Sequence, residues 1–364
     1  YATDQAGNVV YYSYRPGVYN QNLTWEKTTT YNAGIDLSVL NNRVNFNIDY
    51  YYRATKDLIS TVDVPVGTNF KNKVVTNIGS LRNQGVEFAM NAVLFDQKNF
   101  KWDLGFNAAW NDNKITSLIG EGDDYYIPTG GISSGTGNNI QAHKVGYAAN
   151  SFYVYETKQY TAEDGSKYYA VIDRNKDGVI NSDDKYIYKS PDAKVQLGLQ
   201  SKWQFYGFDL GITLRANIGN YVYNDVLAGN LQWVEASKVY QSQNGGYHSV
   251  LRNAYNTYYR EGFRSDGLMG VVYDEATKSY TLTSCSEWYF SDHFVENASF
   301  LRIDNITLGY SINKPKIQAR VYATVSNPCV FSKYSGLDPE IFGGIDNNIY
   351  PRCMTTVVGV SLHF

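Results

Sequence analysis

Alternating apolar and polar residues run through 195–218 and predict one long β-hairpin. Val195, Leu197 and Leu199 share one face of the first half, and Gln196, Gly198, Gln200, Lys202 and Gln204 form the other. This is the period of a strand with one apolar side. The pattern restarts after Tyr206 and Gly207, which predicts a tight turn. Both halves exceed the about five or six residues of an ordinary strand and reach the roughly 9–11 that a tilted strand needs to cross a bilayer.

The same alternation recurs along the chain and predicts about ten strands in all. It occupies residues 25–40, 43–53, 86–94, 102–110, 301–312, 317–325 and 356–364, with a further potential strand at 151–161. Between Leu301 and Ile312 the pattern slips by one residue at Asp304 and Asn305, which predicts a β-bulge.

The predicted connections alternate in length. Short turns fall at Asn41, Asp96, Tyr206 and Asn313, whereas the long connections are 56–82, 119–193, 225–297 and 332–350. Outer-membrane barrels have short periplasmic turns and longer extracellular loops. The pattern therefore favours an all-β fold, a transmembrane antiparallel β-barrel, over a soluble all-β module.

The polar face of the predicted strands carries charged residues, which suit a wet or plugged lumen better than a dry core. They are Asp49, Glu87, Asp103, Lys202, Arg215 and Arg320.

Composition narrows the class of protein further. The 364 residues include 34 tyrosines, 18% charged residues and a net charge of −3, which gives no reason to expect nucleic acid as a partner. No run of 18 or more apolar residues occurs, so a transmembrane helix is excluded. Cys285, Cys329 and Cys353 have no CxxC spacing and indicate neither a zinc site nor a complete set of disulfides.

Several stretches resemble one known family. They are residues 25–59, 81–118, 173–224, 298–312, 334–351 and the terminal VVGVSLHF. Together they are similar to the SusC-like TonB-dependent transporters of the Bacteroidetes outer membrane, and they occur in the order expected for that family.

The resemblance implies that residues 1–364 form the C-terminal part of a large plugged barrel of roughly 22 strands. The plug domain and the TonB-contacting segment of such transporters are absent from this sequence. We therefore expect the remaining N-terminal part of the same barrel to complete it, because open sheet edges are not tolerated in lipid.

The resemblance also implies partners and a location. A SusD-like surface lipoprotein would close the outer cavity, and TonB would supply energy through the N-terminal region. Membrane lipid and lipopolysaccharide would surround the barrel in a Gram-negative outer membrane. The family's substrates are oligosaccharides or peptides too large for simple porins.

Residues 173–184, DRNKDGVINSDD, match the opening of a calcium-binding loop. Side-chain oxygens fall at loop positions 1, 3 and 5, a glycine follows at 6, and a backbone carbonyl is available at 7. Position 12 is aspartate where an EF-hand has glutamate, which resembles dockerin-type loops. The expected ligands of a structural Ca²⁺ are Asp173, Asn175, Asp177, Val179 and Asp184; the alternative is a polar turn without an ion.

Aromatic residues in the long connections are candidates for contact with a substrate. They could stack on sugar rings, anchor at the membrane interface or form small cores within the loops. The candidates are Trp233, Tyr240, Tyr247 and Trp288, with Tyr258, Tyr259 and Tyr289 nearby.

No G-x-S-x-G, HExxH or paired-carboxylate arrangement stands out, so the sequence predicts no enzyme. The primary hypothesis is a section of the wall of a TonB-dependent nutrient importer. The alternatives are a surface module that binds a glycan or a partner protein without transport, and a passive porin.

Overall fold

The computed structural model describes residues 2–3, 9–10, 20–64, 73–119, 125–133, 138–161, 165, 167–229, 269–285, 287–314, 317–350 and 352–363. Within these ranges no helix is both long enough and apolar enough to cross a membrane.

Strands make up most of the described residues. In chain order they are β1 (Ala2–Thr3), β2 (Val9–Val10), β3 (Lys27–Val39), β4 (Val44–Asp63), β5 (Lys73–Gln97), β6 (Phe100–Leu118), β7 (Tyr126–Gly131), β8 (Asn139–Lys144), β9 (Ser151–Tyr155), β10 (Thr157–Thr161), β11 (Lys167–Ile172), β12 (Lys185–Ile187), β13 (Val195–Phe205), β14 (Phe208–Ile218), β15 (Tyr221–Asn224), β16 (Met269–Asp274), β17 (Ser279–Ser284), β18 (Val295–Asn297), β19 (Phe300–Lys314), β20 (Ile317–Ser332), β21 (Ile345–Asp346) and β22 (Thr355–His363). Short 3-10 helices span Ser182–Asp184, Trp288–Phe290, Asp292–Phe294 and Phe342–Gly344, and residues 225–229 form one α-helical turn.

Nine of these strands form one antiparallel sheet, which we call the wall. Its order follows the chain: β3, β4, β5, β6, β13, β14, β19, β20 and β22. Because consecutive wall strands are antiparallel neighbours, their connections lie alternately at the two ends of the sheet. The short turns therefore share one end and the long connections share the other.

The predicted hairpins and the predicted bulge are confirmed. Phe205 pairs with Phe208 around the Tyr206–Gly207 turn, and Asn41 and Asn42 adopt the positive φ angles of 54° and 63° that a tight turn requires. The register between β14 and β19 shifts beside Asp304, where the alternation slips. One extra residue on one strand is what a bulge accommodates.

The predicted long connection at 56–82 is wrong in its bounds. Pairing continues to Asp63 on β4 and begins at Lys73 on β5, so most of this segment is strand. The alternation lapses there because the register shifts twice, next to Asp57 with φ 58° and next to Gly79 with φ 147°. The potential strand at 151–161 is two strands, β9 and β10, which belong to different sheets.

The two faces of the wall differ in polarity, as the alternation predicts. Val358 and Val360 on the outer face are 72% and 62% exposed, and Leu308 lies on the same face. On the inner face, the polar residues Lys202 and Asp103 are register partners on neighbouring strands. An apolar outer face and a polar inner face are the pattern of a membrane β-barrel.

Above the end of the wall that carries the long connections, parts of 125–193, 220–229 and 269–298 pack together as a unit that we call the cap. One sheet has the order β12, β9, β8, β7, and a second has the order β18, β15, β21. A third sheet, with the order β10, β11, β16, β17, adjoins them. The main hydrophobic core lies between these elements and includes Phe152, Tyr155, Tyr223, Trp288, Phe290 and Phe294.

We predict that the Trp288→Ala variant destabilises the cap by about 3–5 kcal/mol, because it removes a large side chain that is 4% exposed. Pulse proteolysis of the detergent-solubilised protein in increasing urea would measure the change. Tyr280→Ala is the matched control, since that ring is 59% exposed. Equal urea midpoints for both variants would contradict the assignment of Trp288 to the core.

Candidate functional site

Two arginines stand side by side on the inner face of the wall. Arg215 on β14 is the register partner of Arg302 on β19. Like charges placed directly opposite each other on neighbouring strands are destabilising unless acidic groups balance them. Acidic groups are therefore expected around this pair.

The acidic partners come from two places. Asp304, the residue at the bulge, accepts a hydrogen bond of 2.8 Å from Arg215 Nε. The segment 334–346, which we call the strap, supplies Asp338 and Glu340. Arg302 Nη2 donates to Asp338 Oδ1 at 2.6 Å, and Arg215 holds Glu340 through both terminal guanidinium nitrogens.

A third arginine closes the network. Arg352 Nη1 lies 2.7 Å from Glu340 Oε2, and its Nε lies 3.5 Å from Asp338 Oδ2. The network therefore joins three arginines to three carboxylates. Paired guanidinium and carboxylate groups of this kind are stronger and more directional than neutral hydrogen bonds.

Burial differs within the network. The side chains of Arg302 and Asp338 are only 2% and 5% exposed, whereas that of Arg215 is 35% exposed. Arg302 Nη1 also donates to Asn327 Oδ1 at 2.6 Å. A buried ion pair tolerates the loss of one partner poorly, because the other charge is left without compensation.

A polar groove on the inner face lies next to this network. It has a volume of about 610 Å³, and its lining includes Asn107, Gln196, Gln200, Arg215 and Asp304. Amide side chains offer both donors and acceptors. The groove can therefore contact hydrated, neutral polar molecules.

Half-buried polar groups also hold the cap together. Asp292 accepts hydrogen bonds from the Thr157 backbone N–H at 3.0 Å and from the Tyr186 hydroxyl at 2.8 Å. Burial raises the pKa of the Asp292 carboxyl above its ordinary value, although these hydrogen bonds oppose the shift. Burial lowers the pKa of Lys185, whose ammonium lies 4.0 Å from the ring centre of Phe290. These groups join neighbouring elements of the cap.

The carboxylates of the predicted calcium loop face backbone donors. Asp173 accepts from the N–H groups of Lys176, Gly178 and Tyr273. Gly178 has φ 87°, which fits the sharp turn expected at that position.

Asp184 accepts from the N–H groups of Arg174, Asn175 and Asn181. Asp173 and Asp184 are buried, whereas Asp177 and Val179 are exposed. In the part of the chain that the structure describes, no group of three or more His, Cys, Asp or Glu side chains is arranged to hold a metal ion.

The predicted substrate contact at Trp288 is corrected by its burial. Its ring lies in the cap core, 5.6 Å from that of Phe294, and has no surface to offer a sugar. The alternative that loop aromatics form small cores holds for this residue. Trp233, Tyr240, Tyr247, Tyr258 and Tyr259 lie outside the described residues.

The sequence places Arg215 on the inner face and marks the slip at Asp304. It does not reveal that Arg302 is the register neighbour of Arg215, or that Asp338 and Glu340 balance the two charges. One signal was available: 338–340, Asp-Pro-Glu, puts two acidic residues in a predicted connection that follows an arginine-bearing strand.

The sequence is similar to known outer-membrane β-barrel proteins. The sequence model of the family described as "TonB dependent receptor-like, beta-barrel" matches residues 2–220. The TonB-dependent receptor SusC of Bacteroides thetaiotaomicron is 47% identical over an alignment that covers 100% of this chain and 34% of the relative. The TonB-dependent receptor P3 of Formosa agariphila is 26% identical over 95% of this chain and 35% of its own.

A solved structure shows the same fold. The RagAB peptide importer in its "open-open" state matches with a TM-score of 0.68 and 25% identity, covering 95% of this chain and 35% of that chain. The chain thus spans about a third of the length of the curated relatives it matches.

We predict that the Arg302→Met variant lowers the free energy of unfolding by about 3–5 kcal/mol, because the buried Asp338 carboxylate loses its shorter ion pair and keeps only Arg352, at 3.5 Å. Urea denaturation, followed by the loss of heat-modifiable migration on a gel, would measure it.

The control variant is Asp112→Asn, which breaks the half-exposed ion pair with Arg82 and should cost about 1 kcal/mol or less. A similar small loss for Arg302→Met would show that the network does not hold this part of the fold.

Proposed function

Because the chain belongs to the TonB-dependent receptor family, we propose that it forms one section of the barrel of an active nutrient importer in a Gram-negative, Bacteroidetes-like outer membrane. In this proposal the chain supplies part of the wall and part of the outer cavity. Its own residues carry out no chemical step.

The observation that carries the proposal is the division of the wall into two faces and two ends. The outer face is apolar, the inner face is polar, and the long connections build a folded cap at one end. A large barrel with a polar lumen and long extracellular loops has this construction. The polar groove beside Arg215 would then face the transport path.

We propose four classes of partner. The remaining N-terminal part of the same barrel would pair with the wall edges at β3 and β22, and membrane lipid with lipopolysaccharide would contact the outer face. TonB would act through the N-terminal region. A SusD-like surface lipoprotein would close the outer cavity, which the similarity to SusC and to the RagAB importer supports.

The proposed substrates are oligosaccharides or peptides. The amide-rich groove suits both, because each presents many neutral donors and acceptors. The peptide class has additional support from the RagAB peptide importer, which shares the fold.

We predict that uptake of substrate requires the proton-motive force. Cells that carry the full-length receptor would be given labelled oligosaccharide or peptide mixtures, with and without a protonophore, and a receptor deletion strain would set the background. Uptake should fall to the deletion level when the protonophore is present.

Two other outcomes would support the alternative functions. Uptake that continues without the proton-motive force would indicate a passive porin. Surface binding of the label without any receptor-dependent uptake would indicate a glycan- or partner-binding module.

For residues 173–184 we propose a structural Ca²⁺ held by Asp173, Asn175, Asp177, Val179 and Asp184. A carboxylate has about four lone-pair sites, and Asp173 and Asp184 each use three of them on backbone N–H groups. The exposed Asp177 uses two, on Val179 N–H and the Asn175 amide. Lone pairs therefore remain at positions 1, 5 and 12 of the loop.

We predict that Asp177→Asn weakens Ca²⁺ binding at least about tenfold by removing a charged ligand, while the fold is retained because Asp177 is exposed. Isothermal titration calorimetry of the full-length protein with CaCl₂ would measure the affinity. Asp183→Asn, an exposed neighbour outside the ligand pattern, is the control. No binding heat in the unaltered protein, or an equal loss in both variants, would sink the proposal.

A further inference from the structure

We propose that the strap, residues 334–346, holds the cap in a fixed position over the mouth of the barrel. The inference rests on the proposed function, since it assigns the cap to the outer cavity of an importer. It concerns how the cavity is held in shape.

The middle of the strap is fixed to the inner face of the wall. Asp338 binds the buried guanidinium of Arg302, and Glu340 binds Arg215 and Arg352. The Glu340 backbone N–H also donates to Asp338 Oδ1 at 2.9 Å, which orients the two carboxylates together. The strap is therefore attached to β14, to β19 and to the residue segment before β22.

The two neighbouring arginines of the wall need the carboxylates of the strap. Arg215 and Arg302 are neighbours in register, so their charges repel unless carboxylates lie between them. Asp304 partners Arg215 alone, at 2.8 Å. Release of the strap would remove both carboxylate partners of Arg302, Asp338 and Glu340, so the charges of the two neighbouring arginines would be less well balanced.

The C-terminal end of the strap is part of the cap. Ile345 and Asp346 form strand β21, which pairs in parallel with Tyr223 and Asn224 of β15. Asp346 Oδ2 also accepts a hydrogen bond of 2.7 Å from the hydroxyl of Tyr334, at the start of the strap. Both ends of the segment thus meet at the cap.

Further contacts with the cap lie between these points. Gln141 of β8 donates to the carbonyl of Gly343 at 2.7 Å. The Ser335 N–H and hydroxyl both donate to Glu296, at 2.8 and 2.6 Å. Gly344 has φ 75°, and a Cβ there would collide with Pro191 and crowd Phe152. Its backbone therefore packs tightly against the cap.

The path of the strap between the wall and the cap sheet is short. Glu340 at the wall and Ile345 in the cap sheet are separated by five residue steps, which span at most about 17 Å when fully extended. Along this path the chain is held again at Gly343 and packed at Gly344. A displacement of the cap relative to the wall would therefore break either the ion pairs or the β15–β21 pairing.

The consequence for import is that the cap moves with the wall as one body. The arginine network would act as a set of positioning residues for the cavity.

The test is hydrogen–deuterium exchange of the full-length receptor, purified in detergent with its surface partner. The double variant Asp338→Asn/Glu340→Gln removes both strap carboxylates. We expect amide exchange to accelerate at least about tenfold in 333–350 and also in β8 and β9 of the cap, while the central wall strands keep their protection.

Asp209→Asn is the matched control. It weakens another inner-face pair on β14, in which Arg320 Nη2 lies 2.6 Å from Asp209 Oδ2, away from the strap. Exchange in the strap and the cap should remain unchanged in this variant. If the double variant does not fold, Glu340→Gln alone decides, with a smaller acceleration expected in the same segments.

Three results would overturn the inference: no acceleration in the strap, acceleration in the strap without any in the cap, or equal acceleration with Asp209→Asn. The exchange pattern does not depend on transport. A receptor that shows the expected exchange pattern but no uptake would contradict the proposed import function and still support the proposed role of the strap.

Discussion

The structure depends on the hydrogen-bonding needs of the backbone. A strand that enters hydrocarbon must pair all its N–H and C=O groups with its neighbours, because no water is available there. The wall meets this requirement, except at the outer edges of β3 and β22, by pairing each strand with the next along the chain. Where extra residues would break the ladder, bulges beside Asp57, Gly79 and Asp304 absorb them. The side-chain alternation, the segregation of the loops and the polar inner face all follow from this pairing.

Much of the wall could be predicted because its information is local. The alternation around Tyr206 fixes the strands, their facing and their turn together, and the slip at Asp304 marks a bulge without any knowledge of its partner strand. The predicted connection at 56–82 is wrong for a related reason. Register shifts at Asp57 and Gly79 interrupt the period while pairing continues, so the sequence pattern breaks where the strands do not end.

The cap and the network could not be predicted in the same way, because their contacts join residues far apart in sequence. Trp288 occupies a core built from several connections, and no local period distinguishes a buried loop tryptophan from an exposed one. Arg302 and Asp338 are 36 residues apart. Only the three-dimensional arrangement shows that an inward-facing arginine on the wall meets an acidic residue in the strap.

The choice of ion pairs to hold the strap follows from the polarity of the wall. Alternation assigns the apolar side chains to the outer face, so a segment that lies against the inner face meets few apolar partners. Hydrogen bonds and charges are what that face offers, and they are weak where water reaches them. Arg302 avoids this weakness because only 2% of its side chain is exposed, and the strap residue that it binds, Asp338, is 5% exposed. The attraction between Arg302 and Asp338 is therefore screened less by water than that of the more exposed pairs on the same face, such as Arg320 with Asp209.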